Sequence, residues 1–228
     1  MTEDWLDYWN RDNSVYASFR HLEAHYDRLF ADISRLMPAP PFKLLDYGCG
    51  DALMAPRLAS LGADVFLFDG AAAVRDRLRA RYADSQGIRL LDDLAPDVGP
   101  FDAILLVSVV QYLDRKATPT LFRNLRQAVA PDGFLLVADI VPPGTAVFRD
   151  AWSLLRFGLA NGFLADAAIG LMRTLFSPYR RLRGQLGLTT YRIEEMTALL
   201  AESGWRAEPL ARNIGPSAHR RSLLAKPA

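Results

Sequence analysis

The chain has 228 residues, half of them hydrophobic and 23% charged, which is enough to bury a full-sized core and unlike the composition of a disordered chain. Twenty-seven basic residues stand against 26 acidic ones, a formal net charge of +1, so the balance calls for no polyanionic partner and nucleic acid is not expected. The single cysteine, Cys49, excludes an intrachain disulfide framework and makes a reducing, cytoplasmic setting the expectation. The acidic start, Met1-Thr2-Glu3-Asp4, does not read as a secretory signal. The longest apolar stretch, around Phe157 to Met172, is interrupted by Asn161 and Asp166 and falls short of the ~20 residues of a spanning helix.

Between Tyr16 and Met37, Phe19, Leu22, Tyr26, Leu29, Ile33 and Leu36 recur at three- and four-residue intervals, predicting one long helix that Pro38, Pro40 and Pro41 end. Short apolar runs then alternate with helical patterns, as in a parallel sheet with crossover helices. Strands are predicted at Phe42 to Tyr47, Asp64 to Phe68, Ile88 to Leu91 and Phe101 to Val110. Between them fall helices with Met54, Leu58 and Leu61 on one face, and with Val74, Leu78 and Tyr82 on another. Thr118-Pro119 reads as N-cap and first position of a helix, and Pro131-Asp132-Gly133 as the turn into a fifth strand, Phe134 to Ile140. After Pro142-Pro143-Gly144 the alternation lapses for roughly forty residues, far longer than the usual connection of about 4 to 6, so an insertion rich in Phe, Leu, Trp and Arg is expected there, ending in Tyr179-Arg180-Arg181-Leu182-Arg183. A helix from Tyr191 to Ser203 and strands near Arg206 to Asn213 and Arg221 to Lys226 close the pattern. The expectation is one α/β domain, a doubly wound Rossmann-like sheet of seven strands whose final strand is antiparallel.

In such a sheet ligands bind beyond the carboxyl ends of the strands, where the windings reverse, usually beside the first strand. The turn there reads Asp46-Tyr47-Gly48-Cys49-Gly50, and its glycines let backbone approach a ligand. A nicotinamide loop would need a third glycine, but Leu53 stands in that place, and the Asp46 carboxylate would repel a pyrophosphate. Asp46 suits instead a cofactor with an ammonium group and a sulfonium. Asp69, about 20 residues on at the second strand's end, can accept both hydroxyls of a ribose, with Gly70 beside it. Asp92 or Asp93, after the third strand, could accept from an adenine amino group. Val107-Ser108-Val109-Val110-Gln111-Tyr112 ends the fourth strand beside the same pocket.

These residues resemble the class I S-adenosylmethionine-dependent methyltransferases: the Asp-x-Gly-x-Gly loop, the acidic second-strand end and the segment Phe101 to Leu113 match, over about Lys43 to Val141. The resemblance implies S-adenosylmethionine as cofactor, lined by Gly48, Cys49 and Gly50, with Asp46 near its methionine amine and Asp69 on its ribose. It also implies the Val107 carbonyl on that amine, with Ser108 adjacent. Gly70 and Ala71 depart from the family's usual apolar and hydroxyl pair. By the same resemblance, residues 1–37 and 145–188 form a lid of N-terminal helices and a helical insertion, consistent with Trp5, Tyr8, Trp9 and Tyr16 lying outside a regular core pattern.

Of the three histidines, His21 and His25 read as solvated or helix-packing residues, and no metal site is expected. His219, after the sixth strand, together with Gln111 and Tyr112, is placed to meet a methyl acceptor, and Asp139 is a further candidate. The function expected is methyl transfer to a small molecule, oxygen slightly ahead of nitrogen or carbon. Alternatives are a catalytically silent cofactor-binding regulatory module and methylation of a lipid-like acceptor at a membrane surface, for which the arginines and Phe148, Trp152, Phe157, Phe163, Phe176 and Tyr179 would serve.

Overall fold

A computed structural model describes residues 3–11, 16–94, 98–145, 147–175 and 187–228. Seven strands form one sheet: β1 (Phe42–Tyr47), β2 (Ala63–Phe68), β3 (Ile88–Leu90), β4 (Phe101–Val107), β5 (Val129–Ile140), β6 (Trp205–Pro209) and β7 (Arg221–Pro227). Their order is β3-β2-β1-β4-β5-β7-β6. The first five pair in parallel, and β7 runs antiparallel to both neighbours. The windings therefore reverse between β1 and β4, which opens a crevice at their carboxyl ends.

Among the described residues the α-helices are α1 (Glu3–Trp9), α2 (Phe19–Ile33), α3 (Ala55–Ser60), α4 (Ala72–Arg81), α5 (Thr118–Ala128), α6 (Val147–Asn161), α7 (Leu164–Leu175) and α8 (Ile193–Glu202). Two apolar layers sandwich the sheet. On one side Leu44, Val65, Leu105 and Leu136 pack with Tyr26, Leu29 and Ile33 of α2 and Leu58 of α3. On the other, Leu45, Ile104, Leu135 and Val137 pack with Phe122 and Leu125 of α5 and Met196 and Leu200 of α8. Alternate residues of one strand thus serve opposite layers, the period-two geometry of a strand buried on both faces.

The structure departs from the sequence expectations in several places. Thr118 is the first residue of α5 and Ala117 its N-cap, so Thr118-Pro119 sits one position further into the helix than expected, and Phe19, expected on the inner face of α2, is exposed. The fourth strand stops at Val107; Ser108 turns into the left-handed region (φ 57°), and Val110–Tyr112 form a 3-10 turn. Apolarity continues through Val110 because that turn is itself buried, so a hydrophobic run there does not mark a strand. Pro131-Asp132-Gly133 starts no new strand: β5 begins at Val129 and its register against β4 shifts between Phe101 and Ala103, so the three residues bulge out of a continuous strand. The sixth strand is shorter than expected, ending at Pro209. Leu61 is exposed rather than on the inner face of α3. The basic stretch Tyr179 to Arg183, with Phe176, lies outside the described residues.

Candidate active site

Strand β1 delivers Asp46 to the carboxyl edge in register with Leu67 of β2 and Leu105 of β4. The following loop is tied to β2 by the Gly48 and Cys49 amides, which donate to the Phe68 carbonyl at 2.7 and 3.2 Å. Gly48 has φ 77°, and a Cβ there would lie 2.5 Å from Val109 Cγ2; this position admits no side chain. Gly50 (φ 55°) is open apart from the Tyr26 hydroxyl, 3.7 Å from where its Cβ would stand.

Asp69 ends the second strand and organises both sides of the crevice. Its Oδ2 accepts from the Gly50 amide at 3.0 Å and its Oδ1 from the Ala71 amide at 2.9 Å. Each oxygen keeps a further acceptor site, the geometry a vicinal diol needs. Arg75 holds the turn behind it, donating to the carbonyls of Asp69 at 2.6 Å and Gly70 at 3.2 Å. Burial pushes Asp69 above the usual carboxylate range, opposed by the two amides and by Arg75 and Arg77.

Asp46 is 3% exposed. Burial and then the nearby Asp69 carboxylate push its pKa up to about 7. A buried carboxylate whose charged neighbour is another carboxylate is an electrostatic deficit, and a cation placed beside it would relieve it. Cys49 packs in the core with its thiol pushed far up by burial, then by Asp46 and Asp69, so it is no nucleophile.

The remaining sequence candidates divide. Asp92 is exposed and ion-paired with Arg79 at 2.6 Å, and Asp93 caps the Leu94 amide at 2.8 Å; neither side chain is built into the buried crevice. Val107 is the last residue of β4, and the Ser108 amide donates to Ala138 at 3.1 Å. Gln111 is 2% exposed, with an Oε1 that has no hydrogen-bond partner among the described residues. Tyr112 is held by Trp5 and Trp9, ring centroids 4.8 and 5.6 Å away. Since Asn10 Oδ1 also accepts from the Ala73 amide at 3.0 Å, α1 bridges from the end of β4 to the start of α4, across the loop after β1.

A polar network that the sequence did not disclose lies on the other flank. Ser108 and Asp139 end adjacent strands, both with positive φ (57° and 63°), and Ser108 Oγ donates to Asp139 Oδ2 at 2.7 Å. Two left-handed non-glycine residues bonded to each other are a conformational cost characteristic of functional sites. Asn213 Nδ2 donates to Asp139 Oδ1 at 3.1 Å, and Arg220 bonds Asp139 Oδ2. Arg220 also reaches Asp150 of α6 at 3.2 Å. His219 is engaged at both ring nitrogens, Nε2 with Asp150 at 3.0 Å and Nδ1 with Ser153 Oγ at 3.2 Å. Asp139 was legible as a strand-end acid; Asp150 and Arg220, 70 residues apart, carried no common signal.

Fold and crevice together define an α/β protein built around a nucleoside cofactor that carries positive charge at its other end. Comparison with known proteins makes this specific: residues 16–210 match the family model described as a methyltransferase domain. The chain belongs to the class I S-adenosylmethionine-dependent methyltransferases, and its cofactor is S-adenosylmethionine. It is 32% identical over 176 residues to a ubiquinone biosynthesis O-methyltransferase of Caulobacter sp. strain K31, covering 65% of this chain and 67% of that one. A ubiquinone biosynthesis O-methyltransferase of Cereibacter sphaeroides is 32% identical over 52% of this chain and 48% of its own. The chain therefore spans between about half and two thirds of the length of these two relatives. In fold it is similar to magnesium protoporphyrin IX methyltransferase from Synechocystis PCC 6803, with a TM-score of 0.59 at 16% identity over 99% of this chain and 94% of that one.

Proposed function

We propose that this chain methylates a hydroxyl group of a small organic acceptor. The observation that carries the reading is the two-sided crevice: buried carboxylates, Asp46 and Asp69, on the cofactor flank, and the hydrogen-bonding array of Ser108, Asp139, Asn213 and Arg220 on the other. The names of the O-methyltransferase relatives support the choice of oxygen.

When bound, S-adenosylmethionine supplies an electrophilic methyl group on a sulfonium. In this reading Asp46 takes the ammonium end, with the Val107 carbonyl and Ser108 adjacent, and Asp69 takes the ribose hydroxyls. Gly48, Cys49, Gly50 and Gly70 supply close-approaching backbone, and of the two acids after β3 it is Asp93 that stands toward the adenine, Asp92 being held outward by Arg79. The Gln111 amide hydrogen-bonds the acceptor, Tyr112 closes over it, and His219 positions the acceptor wall through Asp150. Helix α1 and the α6–α7 pair exclude water, which strengthens these electrostatic contacts.

Titration calorimetry with S-adenosylhomocysteine, followed by transfer of labelled methyl from S-adenosylmethionine to a panel of phenols, catechols and aliphatic alcohols, tests the reading. Methylated oxygen in the product is the expected result. Cofactor binding with no transfer to any member would favour a silent binding module. A second reading, a lipid-like acceptor met at a membrane surface, is favoured by one observation: Trp152, Leu159, Ile169 and Met172 of α6 and α7 are 51–69% exposed. Among the described residues no helix is long and apolar enough to cross a membrane. Flotation with anionic vesicles separates the two readings.

A further inference from the structure

We propose that His25 on α2 accepts the proton released by the acceptor hydroxyl as the methyl group is transferred, an inference that rests on the hydroxyl reading above. Strand β1 follows α2 after a 3-10 turn, Ser34–Leu36, and the short proline-rich link 37–41, and α2 packs on the β1 face, so its N-terminal half stands at the carboxyl edge of the sheet. The Tyr26 hydroxyl there faces Gly50. His25 lies beside it, its ring centroid 5.7 Å from Tyr26 and 5.3 Å from Tyr16. From the opposite flank the Asp139 carboxylate favours protonation of His25, while Arg220 and His21 oppose it. Helix α2 spans the crevice: Tyr26 meets Gly50 on one flank, and on the other Gly215, which packs against Leu29 and donates to Asp32, follows Asn213, the donor to Asp139. His25, one turn before Leu29 and next to Tyr26, stands between these two flanks, toward the carboxyl end of β4.

The other two histidines are committed. His21 Nδ1 accepts from the Ala17 amide at 3.1 Å, and its ring stacks on Phe163 at 5.1 Å. His219 is bonded at both nitrogens. His25 makes no side-chain hydrogen bond among the described residues and is half-buried, leaving a ring nitrogen to meet an acceptor. Burial lowers its pKa to about 4, so it is uncharged at neutral pH, a weak base in the resting site that becomes a stronger one only as the neighbouring positive charge is lost.

The step balances without a further reactant. The acceptor O–H bond breaks and its proton goes to the imine nitrogen of His25. The new O–CH₃ bond forms as the C–S bond breaks, and that electron pair stays on sulfur. The positive charge that leaves sulfur reappears on imidazolium, so the buried site keeps its net charge. The proton affinity of His25 rises as the sulfonium charge disappears, and Asp139 stabilises the imidazolium.

The chain's three histidines make the test direct. Histidine-labelled protein is compared by NMR when saturated with S-adenosylhomocysteine, which is neutral at sulfur, and with sinefungin, which carries a cation at the methyl position and cannot transfer it. The His25 ring signal, assigned by its loss in His25→Gln, is expected to move several-fold more between the two complexes than the His21 signal. His25→Gln is expected to lower kcat by about 10²-fold or more while leaving the S-adenosylhomocysteine Kd unchanged, which also shows that the variant folds. A His25 signal indifferent to the change of ligand charge, or an unaltered kcat, overturns the proposal. A charge-sensitive His25 signal with no hydroxylated acceptor methylated by the wild-type chain overturns the hydroxyl reading and upholds the place of His25 at the methyl group.

Discussion

Replacing Asp46 by asparagine separates stability from cofactor binding. Its pKa rises from 3.8 to about 7 on folding, and each unit corresponds to about 1.4 kcal/mol. A carboxyl raised in the folded state stabilises the fold below its unfolded pKa, and that contribution is lost as pH climbs through the folded value. The ionised group therefore burdens the cofactor-free protein by up to about 4 kcal/mol above pH 7, and by less than half of that at pH 5. Asp46→Asn removes the burden, and at about 2–4 °C per kcal/mol for a chain of this size its melting temperature at pH 8 should exceed that of wild type by up to on the order of 8–16 °C. Loss of the charge-assisted contact to the cofactor's ammonium group should weaken S-adenosylhomocysteine binding by about 10- to 100-fold. Thermal denaturation with and without S-adenosylhomocysteine at pH 5 and pH 8 checks both effects. A variant that melts below wild type at pH 8 and binds S-adenosylhomocysteine unchanged would refute the assignment of a strained, cation-seeking carboxylate.

Asp69→Ala deletes the acceptor of two loop amides and the ribose contact together, so S-adenosylhomocysteine binding should become undetectable by calorimetry in a chain whose circular dichroism is native. Asp92→Ala is its contrast: an exposed ion pair contributes at most about 1 kcal/mol, and affinity should change less than threefold. Gly48→Ala places a Cβ against Val109 at a positive φ and should cost on the order of 1–3 kcal/mol, read as a lower denaturant midpoint. Arg220→Ala leaves Asp139 buried without its cation and unties α6. It should cost about 3–5 kcal/mol and raise amide exchange across residues 147–161 above that of β5; equal exchange in both segments would argue against Arg220 as the tether.

The sheet was legible because its signals are local. Apolar runs at β1 and β4, the glycine turn after Tyr47 and acids at three successive strand ends depend on residues a few positions apart, and they single out Asp46, Gly48, Gly50 and Asp69 as candidates. The same locality explains the misplaced boundaries. Val109 and Val110 are as apolar as a strand because they pack a buried turn, and Pro131-Asp132-Gly133 has turn chemistry whether it separates elements or bulges out of one. What tertiary structure alone decided is how the polar network opposite Asp46 and Asp69 is joined. Ser108, Asp139, Asp150, His219 and Arg220 come from four segments joined by folding, and their charges matter only where burial removes the water that would screen them. His25 shows the difference most plainly: helical spacing made it equivalent to His21, one turn earlier, yet packing stacks His21 on Phe163 and sets His25 against Tyr16 and Tyr26.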